Sequence, residues 1–169
     1  MGGENLFVTC NYLEEINFYD TRMWRMVKQI KYKNEVESFI WDHSGAVFFV
    51  TDVLGNISVY NGQTLRPQPE IVLQGIHRKG SRCMTIAMHP SNEFFATGGN
   101  DSLIAFWDFE EFLCTGTVPE NDLAVRTMNF SPCGRFLSVI ALDDRIENEK
   151  KYVLEVYDSE SRKRFATPP

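Results

Sequence analysis

The sequence predicts an all-β fold of repeated four-stranded antiparallel sheets, and three observations carry that prediction. One segment, an apolar strand followed by a polar turn and a second strand, recurs four times along the 169 residues. Each of the last three copies is preceded by a further strand and a tight turn. No stretch shows a helical apolar period of comparable strength. With 43% hydrophobic and 13% aromatic residues, the chain has ample material for a packed core.

The clearest copy runs from Phe94 to Asp108: Phe94-Phe95-Ala96-Thr97, a turn through Gly98 to Asp101, and a strand that ends in Trp107-Asp108. The second copy aligns with it without a gap, as Val47-Phe48-Phe49-Val50 and then Asn56 to Asn61. The first copy is Leu6 to Thr9 and Glu15 to Asp20; the fourth is Phe136 to Val139 and, after the longer hairpin 142–151, Tyr152 to Asp158. The preceding strands are Val36 to Trp41, Cys83 to Met88 and Val125 to Phe130. Each leads into a turn of the kind ending in Gly or Asn, residues that accept positive φ. Outer strands are expected at Trp24 to Ile30, Glu70 to Gly75, Phe112 to Val118 and around Lys163 to Ala166. We name the four strands of a copy a to d, from the preceding strand to the outer one.

A Trp-Asp pair closing strand c, in a repeat of this length, marks a WD-type blade of a β-propeller. The fold expected is therefore a partial arc of about four four-stranded antiparallel blades. The first blade, residues 4–33, lacks strand a; the others span 34–76, 77–119 and 120–169. Propeller rings commonly close with about four to eight blades. The arc is thus expected to be a piece of a larger propeller, or to associate with a second copy that shields its open blade faces.

More specific strings resemble one family. Glu35-Val36-Glu37-Ser38-Phe39-Ile40-Trp41, Gly55-Asn56-Ile57-Ser58-Val59, Ser81-Arg82-Cys83-Met84-Thr85-Ile86, Phe106-Trp107-Asp108 and Val125-Arg126-Thr127-Met128-Asn129-Phe130-Ser131 resemble, in the same order, consecutive blades of the THO complex subunit 3 family. That resemblance implies a scaffold in a nuclear assembly for mRNA processing and export, with other protein subunits as partners and RNA contacted indirectly or weakly. The 142–151 hairpin resembles that family's last blade more than the one expected next.

Several residue sets are candidates for chemistry. His77, Thr97, Asp101 and Trp107 match the WD-repeat set in which indole, hydroxyl, imidazole and carboxylate form one hydrogen-bonded chain inside a blade. The same types could be read as a triad, but the repeat already accounts for their identity and spacing. Leu13 and Leu54 stand where the third blade has Asp101, so the first two blades cannot build this chain and are expected to tolerate mutation better. By repeat position Glu35, Glu37, Arg82, Met84, Asn100, Ala124 and Arg126 project at one rim, either as solvated loop residues or as a partner-binding ring. Arg22, Arg25, Lys28, Lys31 and Lys33 form a basic patch around an outer strand. Such a patch can blunt a sheet edge, or meet RNA or an acidic partner. A second cluster is Arg78, Lys79 and Arg82.

Composition excludes other classes. A net charge of -6 argues against a uniformly basic nucleic-acid surface. No apolar run is long enough to span a bilayer. His43 and His89 sit in strand a to b turns, read as equivalent positions, and no His, Cys or carboxylate set has metal-ligand spacing. Gly98-Gly99 belongs to a hairpin and not to a phosphate-binding loop. No cofactor and no catalysis are expected. Cys10, Cys83, Cys114 and Cys133 lack a paired motif and read as reduced, buried thiols of an intracellular protein. Direct RNA binding, or an adaptor role in signalling or ubiquitin transfer, are the alternative functions.

Overall fold

The structure is a computed structural model that describes residues 5–71, 73, 77, 78, 80–118, 121–143 and 151–166. Four antiparallel sheets follow one another along the chain. The first holds β1 (Leu6–Cys10), β2 (Glu15–Asp20) and β3 (Arg25–Lys31) in that order. The second holds β4 (Val36–Trp41), β5 (Val47–Asp52) and β6 (Ile57–Asn61). The third is β7 (Cys83–Met88), β8 (Phe94–Gly99), β9 (Ile104–Asp108) and β10 (Cys114–Thr117). The fourth is β11 (Ala124–Phe130), β12 (Phe136–Asp143), β13 (Lys151–Asp158) and β14 (Arg164–Ala166).

Every sheet pairs only sequence neighbours, and successive sheets stack face to face. Three apolar clusters fill the gaps. Ile16 and Phe18 meet Phe48, Val50 and Tyr60 between the first and second sheets. Phe49 and Val59 meet Ile86, Phe95 and Trp107 between the second and third. Ala96, Ile104 and Phe106 meet Val125, Met128, Leu137 and Tyr157 between the third and fourth. A blade therefore has no core of its own; its faces are buried by its neighbours, each fully buried Phe stabilising by about 1.5–3 kcal/mol.

This stacking explains the b strands. β5 and β8 are buried at every residue after the first, because each has a blade on both faces. β1 and the central part of β12 alternate instead, because the outward faces of the end sheets have no neighbour in the arc. Phe7, Met26 and Trp24 at one end, and Ile140, Tyr152, Leu154 and Phe165 at the other, are exposed accordingly.

One expected strand lies partly outside the described residues. The outer strand foreseen at Glu70 to Gly75 does not form as a strand among the described residues, and 72 and 74–76 lie outside them. In its place stand two isolated bridges, Ile57 to Leu73 and Tyr60 to Pro67. Pro67 and Pro69 lack the N–H that a ladder needs. Strands d of the first, third and fourth blades lie at β3, β10 and β14. Residues 144–150 of the long hairpin and Lys79 lie outside the described residues.

The strand a to b turns repeat closely. Gly45 bonds its N–H back to Asp42, Asn92 to His89, and Gly134 to Ser131, with φ of 71°, 63° and 76°. His89 is therefore equivalent to Asp42, and His43 lies one position later; the two histidines are not equivalent as the sequence suggested. They form a relay across blades instead. His43 Nε2 donates to the His89 carbonyl at 3.1 Å, and His89 Nε2 donates to the Gly134 carbonyl at 3.0 Å. His89 Nδ1 accepts from the Ser91 N–H, which fixes this tautomer.

Candidate partner-binding face

At the opposite end of strand a, the same irregularity occurs three times. β4 shifts register between Val36 and Ser38, β7 between Cys83 and Thr85, and β11 between Val125 and Thr127. The skipped residues are Glu37, Met84 and Arg126. A bulge leaves one residue outside the ladder and re-aims its side chain, a device common beside binding sites. Three consecutive blades thus place one bulged residue each on the same face of the arc.

One of these bulged residues, Glu37, is joined to others foreseen from the repeat. The Arg82 guanidinium bonds Glu37 through Nε and reaches Glu35 at 3.5 Å, so the second and third blades are tied by charge. Asn100 Oδ1 accepts the Arg82 backbone N–H at 2.8 Å, which holds the strand a entrance against the b–c turn. Met84, Ala124 and Arg126 are half-buried in the neighbouring part of the rim. Arg126 Nε is buried with no hydrogen-bond partner. A buried donor without a partner costs free energy that an incoming acceptor recovers.

Behind this rim, the third blade is braced by a polar chain. The Trp107 indole N–H donates to Thr97 Oγ1 at 2.9 Å, and the Thr97 hydroxyl donates to His77 Nε2 at 3.0 Å. His77 Nδ1–H donates to Asp101 at 3.1 Å. Asp101 also accepts the backbone N–H groups of Arg78, at 2.7 Å, and Leu103. The four side chains are buried or nearly so, and each spends its polar atoms on the next. No nucleophile in it is open to a substrate, so the arrangement fastens the 77–78 segment and the b–c turn to the blade.

Gly99 makes room for this chain. A Cβ there would lie 2.6 Å from Asp101 Oδ1 and 2.7 Å from His77 Nδ1. Gly98 serves packing between blades, since its Cβ would meet Val125 of β11 at 2.5 Å. Both glycines are thus required by close approach.

Polar anchors that the sequence reading missed stand in the other blades. In the second, Asp52 accepts from Asn34 Nδ2 at 2.8 Å, from the Leu54 and Asn56 N–H groups, and from Asn56 Nδ2. Tyr32 bonds Ser58 at 2.6 Å beside it, and burial pushes its phenol far up. In the fourth, buried Glu155 takes the Tyr157 hydroxyl at 2.6 Å and Arg164 at 2.8 Å. The alternation of polar and apolar residues gave no signal for Glu155, because an inward carboxylate is legible only through its partners.

The basic patch is partly spent on the fold. Arg22 pairs with Asp20 at 2.7 Å, and that guanidinium holds the Asp20 carboxyl down at about 2. Lys28 Nζ donates to the carbonyls of Thr64 and Leu65 in the next blade. Arg25, Lys31 and Lys33 are exposed. The cysteines also divide: Cys83 is buried, Cys10 and Cys114 are half-buried, and Cys133 is exposed, against the expectation of four buried thiols. Among the described residues no group of His, Cys, Asp and Glu has the arrangement to hold a metal ion. No described helix is long and apolar enough to cross a membrane.

Repeated sheets, stacked cores and the Trp107 chain converge with comparison to known proteins. The WD domain, G-beta repeat family matches residues 71–108, the segment that carries this chain. Residues 71–108 are a WD repeat, and the four sheets have the fold of a partial WD-type propeller. The WD-repeat arc is 29% identical over 153 residues to THO complex subunit 3 of Arabidopsis thaliana, covering 85% of this chain and 47% of that protein. It is 25% identical over 128 residues to the WD repeat-containing protein AAC3 of Dictyostelium discoideum, covering 73% of this chain and 26% of that one. The chain spans about half the length of the first relative and about a quarter of the second.

Proposed function

We propose that this WD-repeat arc is a non-catalytic scaffold that binds protein subunits of a THO-like assembly in the nucleus, in mRNA processing and export. The ring of Glu35, Glu37, Arg82, Met84, Asn100, Ala124 and Arg126 is its binding surface. The observation that carries this reading is the strand a bulge, repeated at the same position of three blades beside the unsatisfied Arg126. A register irregularity that recurs at one position of successive blades is suited to presenting side chains to a partner. Similarity to THO complex subunit 3 over most of the chain supports the kind of assembly.

Affinity purification of the full-length protein from nuclei tests it. Other THO subunits are expected in the eluate, and their absence removes the THO part of the reading. The variant Arg126→Glu is expected to lose those subunits while keeping the circular dichroism of the parent. Retention of every subunit by that variant removes the ring as the surface.

A further inference from the structure

A groove of about 750 Å³ opens between the third and fourth blades, at the turn end of strand a, remote from the bulges. That volume lies in the range of built ligand sites, roughly 300–1,000 Å³. Its floor is aromatic. His89 stacks on Phe94 at 4.1 Å, and Arg162 lies over Phe106 at 4.9 Å. The floor is also fixed in place. Arg162 donates to the Thr115 carbonyl at 2.9 Å and to its hydroxyl at 2.8 Å. His89 is held by Ser91 and by the Gly134 carbonyl. Gly134 has φ of 76° and lies so close to the His89 ring that no side chain fits there.

The rim carries a surplus of negative charge. Glu93, Asp108, Asp158 and Glu160 face two cations, Arg135 and Arg162. Both cations are already engaged: Arg162 by Thr115 and the Phe106 face, Arg135 by Asp158 at 3.9 Å and the Phe136 ring at 5.1 Å. A second hollow shares Glu93 and Asp108 and adds Glu110 next to Phe109, so the acidic lining continues along the third blade. A fixed aromatic floor under an acidic rim selects for an apolar group between cations.

We propose that this groove binds an extended peptide segment of a partner protein, in which one or two apolar side chains are flanked by Lys or Arg. The apolar groups meet the His89–Phe94 stack, and the cations meet Glu93, Asp108 and Glu160. The site is separate from the bulge ring and does not depend on the assembly proposed above.

The test uses the whole chain and a fluorescent peptide, Lys-Arg-Leu-Phe-Lys-Arg, read by anisotropy. Two controls replace either its basic residues by Glu or its Leu and Phe by Ser. Cys133 supplies a steric probe, because its exposed thiol lines the groove. The Ser131 hydroxyl and Arg135 lower its pKa, which favours reaction with a bulky maleimide.

The basic apolar peptide is expected to bind at least about tenfold tighter than either control, since loss of two or more charge or apolar contacts costs on the order of 1.4 kcal/mol or more. Alkylation of Cys133 should abolish binding, and bound peptide should slow that alkylation. Charge reversal at the exposed pair, Glu93→Lys with Glu160→Lys, should cost about another tenfold without moving the unfolding midpoint. Equal binding of the Ser-substituted control would reduce the effect to unspecific charge and overturn the proposal. So would equal binding of the acidic control, unchanged binding after Cys133 is blocked, or no binding of the basic peptide at low ionic strength. Loss of THO subunits in purification leaves this measurement untouched, so the two readings fail separately.

Discussion

The second and third blades bury similar cores but fasten their b–c turns with a carboxylate in different places. In the third, position 99 is glycine and the carboxylate stands two residues later, at Asp101, reached by His77 and backed by Thr97 and Trp107. In the second, the position equivalent to Gly99 is Asp52, and its side chain binds the turn directly while Leu54 occupies the Asp101 position and points to solvent. The equivalents of Thr97 and Trp107 there are Val50 and Tyr60, and Tyr32 and Asn34 supply the donors. The difference teaches that a blade requires a buried acceptor near this turn, and that where it stands is set by which neighbours leave room. The expectation that the second blade is the laxer one rested on Leu54 alone and passed over Asp52.

Substitutions along this pair test the comparison. Trp107→Ala removes the largest group and is expected to cost about 3–5 kcal/mol in urea unfolding, because losing a buried indole leaves a cavity and takes from the Thr97 oxygen its indole donor. A loss under about 1 kcal/mol would show that the chain does not brace the blade. Asp101→Ala and Asp52→Ala are each expected to cost about 1–3 kcal/mol, since both strand several donors. A much smaller loss for Asp52→Ala would restore the asymmetry read from sequence. Gly99→Ala should cost about 1–3 kcal/mol by pushing Asp101 off His77, whereas Leu54→Asp should change stability by less than about 0.5 kcal/mol, being exposed next to a turn already satisfied.

The smallest effect extends the comparison to the first blade. Asp20 has its pKa lowered from 3.8 to about 2 by Arg22. A depressed carboxylate contributes stability that is present above its unfolded value and is lost as pH falls through the folded one. Stability of the parent should therefore fall more between pH 4 and about 2 than that of Arg22→Ala, as measured by urea midpoints at each pH. Parallel curves for the two proteins would remove the pair as a contributor.

Much of this was legible beforehand because a propeller is written locally. Strands pair with their sequence neighbours, so an apolar run, a turn with Gly or Asn, and a second run already define a hairpin. The Trp107 set was expected because the WD-repeat pattern gives those residue types fixed positions within a blade. The outer strand foreseen for the second blade is seen only in part, since residues 72 and 74–76 lie outside the described ones and Leu73 bridges Ile57. Glu155 was hidden because a buried carboxylate reads as a surface residue until Tyr157 and Arg164 are placed around it.

Sequence by itself determined the strand order and the blade count, because each follows from a repeat and its period of two. Tertiary structure alone decided the bulges that aim Glu37, Met84 and Arg126, the ion pairs of Arg82 across two blades, and the groove between His89, Phe106 and Arg135. Those depend on how closely one blade stacks on the next. That distance is set by side chains such as Val125 against Gly98, which no single repeat contains.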